Sequence, residues 1–296
     1  MILNRKSVEL LAPAGTWDAL VAGVESGADA VYLGGKHFNM RMHEGDFNFD
    51  DEMLKKAINY THEHGVHLYI TLNNLISDEE VPALREYLAY LEEIQPDALL
   101  VQDFAVLELV HEMKLSIPIH TSVMMNTHNE HAIEKLKEYG ITRIVVGREM
   151  TLSELSLFRE RTGIEVEYFM HGDMCMSESG QCIHSGVVFG QSGNRGRCLK
   201  PCRWPYQLID EQSGEVLDTE GPGPYKLALK DMCMYRSIPQ LIQAGVFSFK
   251  IEGRMRPAPF VRRIVSTYRK AIDAYLADPA GYQVDEEGWK SLYENR

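Results

Sequence analysis

The chain has 296 residues, of which 45% are hydrophobic, so it can bury one large core. Its 43 acidic residues outnumber its 30 basic residues and give a net charge of −13, which argues against binding nucleic acid over the whole surface. No apolar run approaches the roughly 20 residues of a membrane-spanning helix, and no leader-like segment follows Met1–Lys6, so we expect a cytoplasmic protein.

Up to residue 172, the chain alternates between short apolar runs and helical patterns. We predict strands at 8–13, 30–34, 66–73, 98–103, 117–122, 144–147 and 165–171. We predict helices at 17–26, 50–64, 79–94, 130–139 and 151–163, and one more that ends at 113. The strand runs are almost continuously apolar, which is typical of parallel strands that are buried on both faces.

The same alternation returns after a long interruption. A helix at 238–244, an eighth strand at 246–251 and a final helix at 257–276 complete the pattern. We therefore predict an α/β fold, a (β/α)8 TIM-like barrel with a long Cys-rich insertion, about 172–230, after strand 7. A doubly wound open sheet is the alternative, but no G-x-G-x-x-G follows the first strand.

Polar and charged residues follow most of the predicted strands, at the end of a barrel where catalytic groups usually lie. Together they predict a pocket for an anionic small molecule, although strand ends are also polar simply because loops are wet. The catalytic candidates are His171, Glu252, Arg148 and Arg254. The substrate-binding candidates are Arg41, Asn73, Asp103 and Ser122.

The residue types of this pocket indicate what each could do. The planar arginine side chain suits bidentate contacts to a carboxylate. His171 suits acid–base work, the alternative being a buried histidine at a strand end. Glu252 could equally be an ion-pair partner of Arg254. Arg41 belongs to the loop FNMRMHEGDF at 38–47, which is either a lid over the barrel mouth or a plain structural loop.

All five cysteines fall within a span of 59 residues, in or just after the insertion: Cys175, Cys182, Cys198, Cys202 and Cys233. In a reducing compartment, clustered cysteines serve metals or redox chemistry more often than disulfides. The spacing C-x6-C, then C-x3-C, then a distant fifth cysteine differs from the paired knuckles of zinc sites and favours an iron–sulfur cluster. A structural zinc site stays open, as does a catalytic pair of Cys175 or Cys182 with His171 or His184.

Basic and glycine residues surround these cysteines. Arg195, Arg197, Lys200 and Arg203 could offset the charge of four thiolates or face a phosphate-rich substrate. The glycines let backbone N–H groups come close to a cluster. The last predicted helix carries an apolar stripe that either covers the barrel or serves a partner, formed by Phe260, Ile264, Tyr268 and Ile272.

Several segments of the chain carry a family resemblance. EYFMHGDMCMSESGQCIHS at 167–185 closely resembles the signature of the peptidase U32 family, also called collagenase-like proteases. Further matches are ELLAPAG at 9–15, GADAVYLGG at 27–35, ITLNN at 70–74, GNRGRCLKPCR at 193–203, LKDMC at 229–233 and KIEGRMR at 250–256. The chain is identified as a member of that family on these long, ordered matches.

The resemblance implies an iron–sulfur protein that hydroxylates its substrate without molecular oxygen. Branches of the family act on the wobble uridine of tRNA, on a ribosomal RNA cytidine and on ubiquinone precursors, and the tRNA branch uses prephenate as a co-substrate. The ligands of a 4Fe-4S cluster map onto Cys175, Cys182, Cys198 and Cys233, and Cys202 stands at a position that looks dispensable. The GNRGRC-x3-CR segment is closer to the RNA-modifying branches, so tRNA is the expected partner and 5-hydroxyuridine the expected product.

Two other functions stay open beside this one. The family name implies a peptidase, although neither H-E-x-x-H nor G-x-S-x-G occurs in the chain. The chain could also be a non-catalytic subunit that pairs with another family member. We expect a single barrel domain over 1–296, without the C-terminal module of longer relatives.

Overall fold

A closed ring of eight parallel strands forms the centre of the fold. The structure, a computed structural model, describes residues 7–217 and 223–293, so the predictions made for the start and end of the chain lie outside the described residues. The strands are β1 (Glu9–Pro13), β2 (Ala30–Leu33), β3 (His67–Leu72), β4 (Ala98–Val101), β5 (Ile119–Thr121), β6 (Ile141–Val145), β7 (Glu165–Gly172), β8 (Met232–Cys233) and β9 (Ser248–Ile251).

The strand order confirms the barrel prediction and excludes the open sheet. Strands β1 to β7 pair in chain order, and β9 closes the ring by pairing in parallel with both β7 and β1. The short β8 stands outside the ring and pairs antiparallel with the end of β7, His171 opposite Cys233. The strand ends that carry the predicted site residues therefore meet at one face of the barrel.

Helices surround the ring: α1 (Trp17–Glu25), α2 (Asp51–Glu63), α3 (Val81–Ile94), α4 (Phe104–Met113), α5 (Glu130–Lys137), α6 (Leu152–Thr162), α7 (His184–Phe189), α8 (Ile238–Gln243), α9 (Ala258–Ala277) and α10 (Glu286–Tyr293). Side chains placed at the N-termini by the sequence accept backbone N–H bonds and fix where helices begin, those of Thr16, Asp50, Asp103, Asn129 and Thr151. None of the described helices is long and apolar enough to cross a membrane.

The structure differs from the sequence prediction in a few elements. Strand β6 begins at Ile141, three residues before the predicted start. The prediction began too late because the polar pair Thr142 and Arg143 interrupts the apolar run. Helices α7 and α10 and strand β8 were not predicted. The apolar stripe of the last helix is buried, with Ile264, Tyr268 and Ile272 almost inaccessible to solvent, and α9 packs on α1. The stripe therefore covers the barrel and offers no surface to a partner.

The interior of the barrel holds buried charges as well as apolar side chains. A small inner cluster is formed by Leu11, Ala30, Tyr32, Tyr69, Ala98, Leu100, Val145 and Phe169. Next to it, Arg143 Nη1 lies 2.6 Å from Glu9 Oε1, and Lys250 Nζ lies 2.7 Å from Glu167 Oε1. Arg143 also lies 3.6 Å from Glu167, which joins the two pairs into one network. Two acids and two bases thus balance one another inside the ring.

Removing one carboxylate from this network should destabilise the fold strongly. The Glu9→Gln variant removes the carboxylate nearest to the buried Arg143 guanidinium and leaves Glu167 as the one buried acid beside Arg143 and Lys250, so the free energy of unfolding in urea should fall by about 3 kcal/mol or more. Glu165→Gln is the matched control, because Glu165 lies 3.0 Å from the same guanidinium but is 39% exposed. That change should cost at most about 1 kcal/mol. Equal losses in the two variants would show that the buried network does not hold the barrel.

Candidate functional site

A solvent-open cavity of about 210 Å³ lies at the carboxyl ends of the strands. One wall comes from the barrel and the other from the insertion after β7. The barrel wall includes Tyr32, Thr71, Asn73, Ser122, Phe169 and Lys250. The insertion wall includes Met174, Cys175, Cys182, His184, Cys198 and Cys202. The insertion begins where β7 ends, so the chain itself brings the cysteines to the barrel mouth.

A cation on the barrel wall has no acidic partner. The Arg148 guanidinium carbon lies 3.7 Å from the centre of the Phe169 ring, a stacked cation–π arrangement. Within residues 7–217 and 223–293, no carboxylate forms an ion pair with Arg148. Its charge reaches both Tyr32 and Cys175, whose pKa values it lowers against the larger effect of burial. Arg148 is therefore placed to receive an anionic group inside the cavity.

Arg254 lines the same cavity, but its guanidinium is occupied by neutral acceptors. Its Nη1 donates to Asn39 Oδ1 at 3.1 Å, and its Nη2 donates to Asn48 Oδ1 at 2.9 Å and to the Phe47 carbonyl at 3.1 Å. These contacts fasten the loop at 38–48 to the barrel. Burial lowers the pKa of Arg254 to about 10, so the group keeps its charge at neutral pH.

Close approach to Arg254 explains a glycine at the end of β2. A Cβ atom at Gly34 would lie 2.6 Å from Arg254 Nη2, so a larger residue would displace the guanidinium. Gly15, after β1, meets the Arg254 backbone carbonyl in the same way. The glycines at these two strand ends make room for one residue, Arg254, through its side chain at Gly34 and its backbone at Gly15.

Tyr32 and Glu252 form a hydrogen-bonded pair at the cavity edge. The Tyr32 hydroxyl donates to Glu252 Oε2 at 3.2 Å and to the Ile251 carbonyl at 3.0 Å. Burial, followed by the Glu252 charge, raises the pKa of Tyr32 well above its ordinary value, so the phenol stays protonated. Arg41 Nη2 lies 3.9 Å from Glu252 Oε1. The pair can therefore hold a proton next to a bound molecule.

Sequence reasoning missed Tyr32 and Lys250 as cavity residues. Both stand in strands at inward positions, two residues after Ala30 and Ser248 respectively. A tyrosine and a lysine inside such apolar runs are the signal that could have found them, since a strand alternates its side chains between two faces. The sequence prediction takes residues at or just beyond the strand ends, together with Arg41 from a loop.

Four of the five cysteines line the cavity: Cys175, Cys182, Cys198 and Cys202. Burial raises the pKa of the Cys202 thiol against the opposing charge of Arg203, and the three other thiols of the cavity raise it further. Cys233 does not line the cavity; it lies on β8, with its sulfur 3.7 Å from the Tyr268 hydroxyl. Across the described part of the chain, no three or more His, Cys, Asp or Glu residues are arranged to hold a metal ion.

Two predicted site residues are held elsewhere. His171 is buried and its Nδ1 lies 3.1 Å from the Tyr268 hydroxyl, away from the cavity lining. Asp103 begins α4 by accepting from the Ala105 N–H at 2.8 Å, and it accepts a second bond from Ile76 N–H at 2.8 Å. The structure thus brings together Arg41, Asn73, Ser122, Arg148, Glu252 and Arg254, but not His171 or Asp103.

One cluster near the cavity contains a serine, a histidine and a glutamate, the residue types of a hydrolytic triad, but the glutamate and not the histidine lies in the middle. Glu149 accepts from Ser179 Oγ at 3.3 Å and lies 3.0 Å from His128 Nε2. Although burial opposes it, hydrogen bonds from the backbone and from His128 hold the pKa of Glu149 below its usual range. In a serine hydrolase the histidine must touch the serine and remove its proton. Here the glutamate stands between them, so Ser179 has no base.

Comparison with known proteins gives a consistent family but varied activities. A family model described as peptidase family U32 matches residues 15–295. The chain is 34% identical over 289 residues to the tRNA hydroxylation protein P1 of Bacillus subtilis, covering 97% of this chain and 68% of that protein. It is 35% identical over 280 residues to the 23S rRNA 5-hydroxycytidine C2501 synthase of Escherichia coli, covering 94% and 41%.

Other similar proteins carry protease names. The chain is 31% identical over 284 residues to the collagenase of Porphyromonas gingivalis, covering 92% of this chain and 67% of that protein. A solved structure, the U32 peptidase Mk0906, superposes with a TM-score of 0.54 at 12% identity and covers 84% of this chain and 94% of that one. That likeness shows the fold alone. The chain spans between 41% and 68% of the length of the three curated relatives.

The contacts of Arg254 predict that it positions the loop at 38–48. Arg254→Lys cannot reach Asn39, Asn48 and Phe47 together, and each hydrogen bond to a charged group is worth about 1.5–3 kcal/mol. Amide hydrogen exchange in this loop should therefore speed up by about tenfold or more. Arg256→Lys is the control, because its contacts to Asp173 and Asp231 are long, at 3.4 and 3.5 Å. Unchanged exchange in Arg254→Lys would remove the positioning role.

Proposed function

The chain belongs to the peptidase U32 family, and from that premise we propose that it is an RNA-modifying enzyme. The proposed reaction is oxygen-independent hydroxylation of the tRNA wobble uridine to 5-hydroxyuridine, with prephenate as co-substrate. One observation carries the proposal. In a cavity at the barrel mouth, four cysteine thiols lie opposite Arg148, which forms no ion pair with a carboxylate of the described residues. The names of the Bacillus subtilis and Escherichia coli relatives support RNA as the substrate class.

The barrel wall suits a small carboxylate. The Arg148 guanidinium lies over the Phe169 ring and pairs with no carboxylate among the described residues, so its N–H groups can donate to a planar carboxylate. Arg41 stands on the loop at 38–48 and pairs only loosely with Glu252, at 3.9 Å. Asn73 and Ser122 add neutral hydrogen-bonding groups on the same wall. Prephenate carries two carboxylates, so two arginines on one cavity can bind and orient it.

The insertion wall supports the proposal of a 4Fe-4S cluster in part. Thiolates are the ligands that iron–sulfur clusters require, and Cys175, Cys182 and Cys198 line one cavity. We propose Cys233 as the fourth ligand, as the resemblance implies, although β8 holds it next to His171 and outside the cavity lining. When bound, such a cluster supplies electron transfer or Lewis acidity.

Protein side chains supply the remaining chemistry of the proposed site. Tyr32 and Glu252 hold a proton at the cavity edge and can exchange it with a bound molecule. Lys250 adds a buried positive charge, although Glu167 neutralises it at 2.7 Å. The insertion forms the wall of the cavity opposite the strand ends.

A peptidase is not supported by the geometry of this site. Ser179 lacks a base, because Glu149 separates it from His128. His171, one of the two histidines that could activate a cysteine, is held by the Tyr268 hydroxyl outside the cavity lining. The collagenase name of one relative makes gelatin cleavage a necessary control assay. A non-catalytic subunit is the other alternative, and it would show activity only after a second family member is added.

Metal content tests the cysteine assignment. Protein purified without oxygen should carry about four irons and four sulfides per chain with a broad visible absorbance, and Cys175→Ala should lose both. Cys233→Ala should lose them as well. Cys202→Ala is the matched control and should keep them, because Cys202 lines the cavity but is not a proposed ligand. One zinc and no iron in the wild type would contradict the cluster.

Nucleoside analysis tests the reaction. The full chain is expressed in a bacterial strain that lacks its own tRNA uridine hydroxylase, and tRNA nucleosides are measured by mass spectrometry. Wild type should restore 5-hydroxyuridine, whereas Arg148→Ala should lower it at least about tenfold, since a bidentate charged contact is worth about 1.5–3 kcal/mol. Arg161→Ala is the control, because Arg161 pairs with Glu130 at 3.2 Å and does not line the cavity. Gelatin cleavage without any hydroxylated uridine would overturn the proposal.

A further inference from the structure

Three aromatic rings lead from the cavity to the outer surface of the insertion. The His184 side chain lines the cavity, and its ring centre lies 6.5 Å from that of Phe189. The Phe189 ring centre lies 5.0 Å from that of Trp204. Phe189 and Trp204 are 38% and 39% exposed, although neither is needed to fill the core. Rings that stay exposed in a continuous row are available to stack with flat molecules.

The charge around these rings is opposite to that of the whole chain. Residues 179–209 contain no Asp or Glu and four Lys or Arg residues, whereas the net charge of the chain is −13. Arg197 is exposed; its Nε lies 3.0 Å from His43 Nε2, and within the described ranges it forms no ion pair with a carboxylate. Arg195 is paired with Glu80 and Lys200 with Asp173, so they contribute less. This part of the surface therefore carries a local excess of positive charge that would attract a polyanion.

We propose that His184, Phe189 and Trp204 form a stacking platform for single-stranded RNA, on which the nucleotides beside the modified base lie. The inference rests on the proposed function and names the surface that its substrate uses. Proteins that bind single strands combine a basic surface with aromatic rings, because every base has a face that can stack. Both features occur here, and the row of rings ends at the cavity where the modified base would sit.

The shape of the site favours a single strand over a duplex. A base can enter a cavity at the barrel mouth only after it leaves its stack, and its neighbours then expose faces of their own. The rings of Phe189 and Trp204 can replace the lost stacking on one side. In a duplex those faces are already covered. The platform is thus matched to the loop of an RNA and not to its stem.

A protein partner is the competing occupant of this surface. Exposed aliphatic residues also lie on and just before α7, with Val187 74% and Ile183 70% exposed. An apolar docking surface would use these side chains and would not need aromatic faces. The local excess of positive charge and the continuity of the rings with the cavity favour RNA. The two occupants make opposite predictions for aliphatic substitutions.

Binding of a fluorescein-labelled 12-nucleotide oligouridine to the full chain, measured by anisotropy, tests the platform. Trp204→Ala and Phe189→Leu should raise the Kd about 5-fold to 100-fold, since each removes one stacking face. Trp204→Phe should recover most of the affinity. Arg197→Glu should weaken binding and reduce the slope of log Kd against log salt by about 1. A duplex of the same length should bind weakly to every variant.

Matched controls keep the result interpretable. Val187→Ala removes exposed apolar area from the same helix without removing a ring, and Lys55→Glu reverses an exposed charge on α2. Neither should change the Kd. Trp289 lies on α10, where the Arg236 guanidinium covers its ring. Trp289→Ala should also leave binding unchanged. Thermal unfolding of each variant identifies any that fail to fold.

The outcomes separate the platform from the proposed function. If oligouridine binding is equal in wild type, Trp204→Ala and Phe189→Leu while wild type still produces 5-hydroxyuridine, the platform is wrong and the function stands. Loss of oligouridine binding in Val187→Ala with full binding in Phe189→Leu would show that aliphatic side chains and not the rings hold the RNA, and would also overturn the platform. Absence of any oligouridine binding by wild type overturns the platform irrespective of the nucleoside result.

Discussion

Closure of the barrel is the constraint on which the rest of the structure depends. The ring closes only when β9 returns to lie between β7 and β1, after the long interruption between Gly172 and Ser248. That interruption starts at the carboxyl end of β7 and must therefore lie at the same face as the ends of the other parallel strands. The cavity follows directly: one wall is the set of strand ends, and the other is the chain that has to cross them.

The charged interior is the second consequence of closure. A ring of eight strands leaves room for side chains at its axis, and here Glu9, Arg143, Glu167 and Lys250 occupy much of it. Buried ions cost free energy unless they are paired, and the distances show that each acid faces a base. The network ends at Lys250, which also lines the cavity. A bound anion would therefore sense the charge balance of the whole barrel axis.

The sequence predicted the barrel well because buried parallel strands are apolar along their whole length. It failed at β6, where Arg143 belongs to the interior but resembles a loop residue. It missed Tyr32 and Lys250, because only the closed ring decides which residues of an apolar strand point inward. It also could not show that Asp103 would cap α4 while Arg148 stays without an acid. The number of cysteines is visible in sequence, but which of them share a cavity depends on how the insertion folds.

The short antiparallel pairing of β8 with β7 brings the two ends of the insertion together. Met232 stands opposite Gly172, so the first and last residues of the excursion are neighbours. The entropy of closing such a loop changes only slowly with its length. Lengthening or shortening this segment therefore changes the entropy of closing the barrel very little. The chemistry of this fold can therefore diverge through changes in the insertion after β7, while the barrel that carries it closes in the same way.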